Sequence, residues 1–238
     1  MALKLYVHRV SQPSRALVIF CKSNGIEFEE AHIDLMKKQH KSPDFLEINP
    51  MGQVPSMVHG DFKLFESHAI LTYLTAAYPE VADHWYPSDI KQRAKVQSVL
   101  DWHHSNLRRG AVGYIFNSKL APAFGIPLNP QAAAEGEKTL LASLSTLDSF
   151  WLTDSGKFLV GQDEPSVADL SLVCELMQLE FLEEDDRKRI LGPFKKVQQW
   201  IEDTKIATNP HFDEVHETLF QARAMILKQI PTGEKSEA

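Results

Sequence analysis

Ser11-Gln12-Pro13-Ser14 follows a short apolar run, Leu3 to Val7, and precedes a helical run from Arg15 to Lys22. A hydroxyl at such a strand-to-helix turn has two uses. It can cap the helix by accepting an amide bond, with Pro13 suited to the first turn. It can also donate to an anion held against the helix start, where free amides and the helix dipole favour negative charge. A serine there does no redox chemistry, but it can hold a thiolate that another molecule brings. Two further motifs stand downstream. In Asn49-Pro50-Met51-Gly52-Gln53-Val54-Pro55 the last pair suits either a sharp loop with a cis peptide bond or an edge-strand proline. In Phe65-Glu66-Ser67-His68-Ala69-Ile70 an acid and a hydroxyl open an apolar helical run, an ordinary cap or an anion pocket. His40 and Lys41 lie in the polar loop between, as solvated charges or as ligands of an anion.

These residues need a scaffold, and the pattern supplies one. Leu3–Val7 reads as a strand, Pro13–Ser23 as a helix ended at Gly25, and 27–32 as a second strand. Val54–Val58 is a third strand, Gly60-Asp61 a turn, Phe62–Phe65 a fourth strand and Ser67–Ala77 a helix closed by Pro79. The order is βαβ followed by ββα. From about Pro87 the period changes to that of helices, over 89–119, 130–153, 166–182, 193–208 and 211–229. The expected organisation is an α/β domain over 1–80, a linker over 81–88, an all-helical domain over 89–230 and a flexible tail over 231–238. Ser166-Val167-Ala168-Asp169 reads as a capping box whose role is folding.

Composition narrows the function further. The 238 residues are 43% hydrophobic, enough for one or two cores, and carry a net charge of -7. That balance argues against nucleic acid or an anionic membrane surface as partner, so any anion site must be local. No apolar stretch approaches the ~20 residues that cross a bilayer, and no secretory signal pattern opens the chain. A cytoplasmic protein is expected. The C-terminal Lys235-Ser236-Glu237-Ala238 does not match a Ser-Lys-Leu peroxisomal signal. Cys21 and Cys174, the only two cysteines, sit in helical patterns and read as reduced structural thiols. None of the ten histidines falls into a zinc spacing, and His103-His104, as neighbours on a helix, are expected to point to different faces, so no metal is expected.

The ordered set Ser11 to Arg15, Gln39-His40-Lys41, Asn49-Pro50 to Val54-Pro55, Glu66-Ser67, His84-Trp85-Tyr86-Pro87 and Trp102-His103-His104 through Leu107-Arg108-Arg109-Gly110 resembles the cytosolic glutathione transferases, and in detail their plant-type theta class. The resemblance spans nearly the whole chain. It implies a homodimer of a thioredoxin-like domain followed by a helical bundle, with glutathione as co-substrate and no cofactor. It places Ser11 on the glutathione thiolate, with Ser14 as fallback. It makes Val54-Pro55 cis, leaving the Val54 backbone to pair with the cysteinyl part of glutathione as an added strand would. Ser67, as N-cap, and the amides behind it would take the γ-glutamyl carboxylate, Glu66 the ammonium, and His40, Lys41 and Gln53 the glycine carboxylate.

The helical domain is expected to hold a small apolar electrophile, with Arg108 and Tyr114 on the pocket and Trp102, Leu107, Ile115 and Phe116 in its apolar wall. Arg108 would steady charge on a leaving group or a peroxide oxygen. Where relatives present an acid to the partner subunit's glutathione, this chain has Ser105-Asn106, so a cross-dimer contact stays open. The implied activity is conjugation of the glutathione thiolate, with reduction of organic hydroperoxides beside it. A non-catalytic binder of glutathione or apolar ligands on the same fold is the alternative. A thiol-disulfide oxidoreductase would need cysteine at position 11 or 14, and both are serine.

Overall fold

The computed structural model describes residues 2–153 and 155–229; the expected tail over 231–238 lies outside the described residues. Strand β1 (Leu3–Val7) alternates buried and half-buried side chains, so Leu3, Leu5 and Val7 form one apolar face. It feeds helix α1 (Gln12–Ser23), which is buried from Ser14 to Cys21 on every side, and Gly25 at φ +65° turns the chain out. Strand β2 (Glu29–His32) is shorter than the expected 27–32 and runs parallel to β1. A short helix, α2 (Pro43–Leu46), opens on Ser42, whose hydroxyl accepts from the Phe45 amide at 3.3 Å. Strands β3 (Ser56–His59) and β4 (Phe62–Phe65) form an antiparallel hairpin, and helix α3 (Ser67–Ala77) completes the domain. The sheet order is β2-β1-β3-β4, with β3 antiparallel to β1, so the N-terminal domain is thioredoxin-like. β3 starts at Ser56 rather than the expected Val54, because Pro55 has no N–H to give the ladder.

Between the sheet and the helices, a tight 3-10 turn over Asp83–Trp85 buries Trp85 edge-on against Phe20 of α1, with ring centroids 5.3 Å apart. His84 Nδ1 lies 2.6 Å from the Pro165 carbonyl.

The helical domain follows. α4 (Ile90–His103) is capped by Asp89, whose carboxylate accepts from the Gln92 amide at 2.9 Å. The expected helix over 89–119 is continuous but widens twice into π turns, at His104–Arg108 and Phe116–Leu120, on either side of α5 (Arg109–Ile115). α6 (Pro130–Thr146) crosses α5 so closely that a Cβ on Gly110 would collide with the Leu140 backbone, and one on Gly136 with that of Tyr114. α7 (Val167–Leu176) is the central helix, with every residue buried. It carries on as a 3-10 turn over Met177–Phe181. α8 (Glu184–Leu191) was not expected from the period: only Ile190 is buried, and acids in its first turn with bases in its last match the helix dipole. α9 (Lys195–Thr208) and α10 (His211–Gln229) close the domain. No helix among the described residues is long and apolar enough to cross a membrane.

The capping box at Ser166 does more than start α7. Ser166 Oγ accepts from the Ala168 and Asp169 amides, and Asp169 Oδ2 accepts from the Ser166 amide (2.7 Å) and hydroxyl (2.6 Å). Its other oxygen accepts from the Leu159 amide and from Trp200 Nε1, both at 2.8 Å. One fully buried carboxylate thus joins α7, α9 and the turn at Leu159, and burial pushes its carboxyl up against the pull of these four bonds. Removing it leaves several donors buried without an acceptor. Asp169→Ala is therefore expected to cost about 3 kcal/mol or more in urea unfolding, and Ser166→Ala about 1 kcal/mol. Equal losses would show that the capping bonds alone matter.

Candidate functional site

A cleft of about 590 Å³ opens between the two domains, where the β1–α1 turn faces the first long helix and α7. Its floor includes Ser11. The Ser11 amide donates to the His8 carbonyl (2.8 Å) and its carbonyl accepts from the Arg15 amide (3.1 Å), but its hydroxyl makes no capping bond to α1. Of the two uses open to that hydroxyl, the capping one is not taken. Ser14 is fully buried, lies off the cleft and accepts from the His8 amide at 3.5 Å, so it does not replace Ser11.

One wall is the loop before β3, built around Asn49. Buried Asn49 accepts from the Met51 amide (2.9 Å) and donates to the Gln53 carbonyl (2.8 Å) and Ser56 Oγ (3.1 Å). These bonds hold Gln53, Val54 and Pro55 along the cleft, and the Val54-Pro55 peptide is cis. Gly52 sits at φ +57° with the Lys41 side chain against it, so that a Cβ would lie 2.8 Å from both Lys41 Nζ and the His40 carbonyl. Lys41 Nζ donates to the Gly52 carbonyl (2.8 Å) and more weakly to that of Met51 (3.3 Å). His40 Nδ1 is buried with no hydrogen-bond partner, and burial, then Lys41 and Lys38, lower its pKa.

The opposite end is the start of α3, where the expected roles shift by one residue. Ser67 is the first helical residue, not the N-cap; the cap position belongs to Glu66, at φ 70°, ψ 111° and with no side-chain bond to the helix. That backbone is one an L-residue rarely adopts, at a cost of about 1–3 kcal/mol. It leaves the Ser67, His68 and Ala69 amides ahead of the first intrahelical bond, Ile70 N–H to Glu66 C=O at 2.9 Å. Both Glu66 and Ser67 line the cleft.

From the helical domain, Arg108 reaches the cleft and donates to Glu175 Oε2 at 2.6 Å. Phe116, Leu120 and Phe124 give it an apolar side, with Phe116 and Phe124 rings 5.9 Å apart. Tyr114 is not there. It is buried in the α5–α6 crossing, and its hydroxyl accepts from Arg189 Nη2 at 3.1 Å. Leu107 and Ile115 are likewise core, and Trp102 packs toward Trp151 instead.

A histidine cluster adds a contact that sequence spacing does not show. His103 is buried and His104 exposed, as neighbours on different helix faces should be, yet both rings meet His68 of α3, at 5.3 and 4.5 Å between centroids, and all three line the cleft. His68 Nε2 lies 3.2 Å from His103 Nδ1. Burial, reinforced by His103, His104 and Arg108, pushes His68 down to about 2, so it is neutral near pH 7. Glu175 and Gln12 also line the cleft; Gln12 belongs to the Ser11-to-Arg15 turn without a role assigned to it there, and no motif marks Glu175, one of two acids in the largely apolar α7. Among the described residues no group of histidine, cysteine or acidic side chains could hold a metal ion.

The family model for the glutathione S-transferase N-terminal domain matches residues 1–76. Over 237 residues the chain is 61% identical to glutathione S-transferase T1 of Arabidopsis thaliana, covering 100% of this chain and 97% of that protein. It is 63% identical over 229 residues to the same organism's glutathione S-transferase T2, covering 96% of this chain but 39% of that longer protein. Human glutathione transferase theta-2, in a crystal structure of its complex with glutathione and an unknown ligand, superposes with a TM-score of 0.86 at 34% identity, covering 96% of this chain and 92% of that one. The chain belongs to the glutathione S-transferase family. Within it, the chain is a plant theta-class member.

Both cysteines lie off this site. Cys21 and Cys174 are fully buried free thiols, and burial pushes both up, Cys174 to about 12. A raised thiol pKa keeps the unreactive form through neutral and mildly alkaline pH. The folded protein at pH 8 is therefore expected to take up no iodoacetamide by intact mass, and to label at both positions once unfolded in urea. Labelling of folded protein at Cys21 together with loss of activity would move the chemistry to that cysteine.

Proposed function

We propose that the chain is an enzyme that binds glutathione in the interdomain cleft, ionises its thiol and transfers the sulfur to small apolar electrophiles. The observation that carries this reading is the Ser11 hydroxyl, half-buried on the cleft floor at the start of α1 and not used to cap it. The ends of the cleft match the tripeptide. Free amides at α3 suit the γ-glutamyl carboxylate, Glu66 the ammonium, and the unpartnered His40 Nδ1 with Lys41 and Gln53 the glycine carboxylate. Val54, just outside β3, suits pairing with the cysteinyl backbone. The human theta-2 relative is known in complex with glutathione, which supports the same assignment.

A free thiol of pKa ~8.5 is only a few per cent ionised at neutral pH, so the site must favour the anion. Ser11 donates to the sulfur, and the start of α1 adds partial positive charge. The thiolate attacks the electrophilic carbon, a C–S bond forms, the bond to the leaving group breaks with its electron pair, and the thiol proton passes to solvent. With an organic hydroperoxide the thiolate takes the distal oxygen, giving alcohol and glutathione sulfenic acid, and a second glutathione then gives the disulfide and water. Phe116, Leu120 and Phe124 supply the apolar contact for the electrophile, in place of Tyr114. The domain limits at 80 and 89, a cytoplasmic location and a homodimer belong to the same reading. Phe62, exposed at the β3–β4 hairpin beside Tyr73, offers the partner subunit an apolar contact.

Calorimetry is expected to detect glutathione binding, and a panel of aryl halides and organic hydroperoxides to consume it. Binding without turnover of any member would instead favour a non-catalytic carrier. Among variants, Ser11→Ala is expected to lower kcat ~10-fold or more, while Ser67→Ala and Lys41→Ala mainly raise KM for glutathione. Carboxylate contacts are alike in ground and transition states, whereas help to the thiolate is felt in the reactive form. An unchanged kcat in folded Ser11→Ala would falsify the assignment.

A further inference from the structure

Glu175 is a fully buried carboxylate whose polar contacts all belong to the cleft. Oε1 accepts from Gln12 Nε2 at 3.1 Å, and Oε2 accepts from Arg108 Nη1 at 2.6 Å, with His103 Nε2 3.4 Å away. Gln12 follows Ser11 directly and belongs to α1, while Arg108 and His103 belong to the helical domain. A buried ion pair is no better for stability than an apolar pair of the same volume. Its place beside the reacting group therefore calls for another reason.

We propose that Glu175 is a positioning residue that sets the charge of the cleft: it draws Arg108 into an ion pair and ties that pair to Gln12 beside Ser11. The guanidinium's charge is thereby balanced before any substrate arrives. Stabilisation of the sulfur anion is left to the Ser11 hydroxyl and the start of α1. This rests on the proposed thiolate chemistry.

The charges around Glu175 make the sign of the effect definite. From α4 and the turn after it come His103, His104 and Arg108; from α1 comes buried Arg15; from α3 comes neutral His68 behind His103; α9 meets α7 through Trp200 on Asp169. Burial would push the Glu175 carboxyl up, but His103 and Arg108 outweigh it and hold it below its ordinary value. Glu175 is then ionised throughout the range where a thiol titrates. Replacing it by neutral glutamine makes the cleft more positive and favours thiolate. Removing Arg108 instead leaves the carboxylate less balanced and favours thiol.

The test is the pH titration of the thiolate ultraviolet absorbance of bound glutathione, beside the pH profile of kcat/KM, in wild type, Glu175→Gln, Arg108→Ala and the double variant. At a pH one unit below the wild-type midpoint, Glu175→Gln is expected to hold ~2-fold or more the wild-type thiolate and Arg108→Ala about half or less, with the double variant close to wild type. Because a more stable thiolate is a weaker nucleophile, the alkaline plateau of kcat should fall in Glu175→Gln rather than rise. Arg108 is one-third exposed, so Arg108→Ala remains informative should Glu175→Gln be poorly folded. Shifts of both single variants in the same direction, or an unshifted Arg108→Ala titration, would overturn the proposal while leaving the transferase reading intact. A wild-type protein that binds no glutathione would overturn both.

Discussion

The cleft depends on one buried cation. Arg15 lies inside α1 with no exposed surface, yet its guanidinium donates to the Arg9 carbonyl (3.1 Å), the Val10 carbonyl (2.8 Å) and the Cys174 carbonyl of α7 (2.9 Å). The first two acceptors belong to the turn that ends in Ser11. The third belongs to the other domain. A planar fork of donors can satisfy three carbonyls in fixed directions, which a lysine ammonium cannot do with the same geometry. Burial lowers the guanidinium to about 10, so it stays charged at neutral pH and makes charge-assisted bonds. Leaving such acceptors unpaired costs several kcal/mol, a large part of a total stability of about 5–15 kcal/mol. The serine is thus placed by a guanidinium that also fixes one domain against the other.

Around that guanidinium the two domains divide the work. The sheet domain offers backbone and anion sites: the loop held by Asn49, the strained cap at Glu66 with the open amides of α3, and the start of α1. The helical domain offers an apolar side and the Arg108–Glu175 pair. The π turns at His104–Arg108 and Phe116–Leu120 both stand on this side, one carrying Arg108 and the other Phe116. A wide turn re-aims side chains without breaking the helix, which is how one continuous segment presents both a cation and an aromatic to a single cleft.

Most of the sheet domain was legible because its signals are local. Turn residues and alternation place β1, β4, α1 and α3 to within a residue, and Ser11, His40, Lys41, Gln53, Val54, Pro55, Glu66, Ser67 and Arg108 do line one cleft. The errors arise where the deciding partner is distant. Tyr114 reads as a pocket aromatic until Gly110 and Gly136 let α6 close over it. His103 and His104 point to different helix faces, and that they share a partner appears only when His68, from the other domain, brings its ring against both. Glu175 is one acid in an apolar helix, and its meaning appears only with Gln12 and Arg108 around it. α8 was missed for the opposite reason: charge matched to the helix dipole holds it, with too little apolar surface to show a period.

The central claim is spatial: the glutathione sulfur belongs on the Ser11 hydroxyl at the start of α1. A crystal structure of the protein with glutathione tests this most directly. The sulfur is expected within hydrogen-bond distance of Ser11 Oγ, the cysteinyl backbone paired with Val54, and the γ-glutamyl carboxylate on the amides of Ser67 and His68. A sulfur lying instead against the His68–His103–His104 cluster or Arg108, with Ser11 Oγ out of reach, would contradict it.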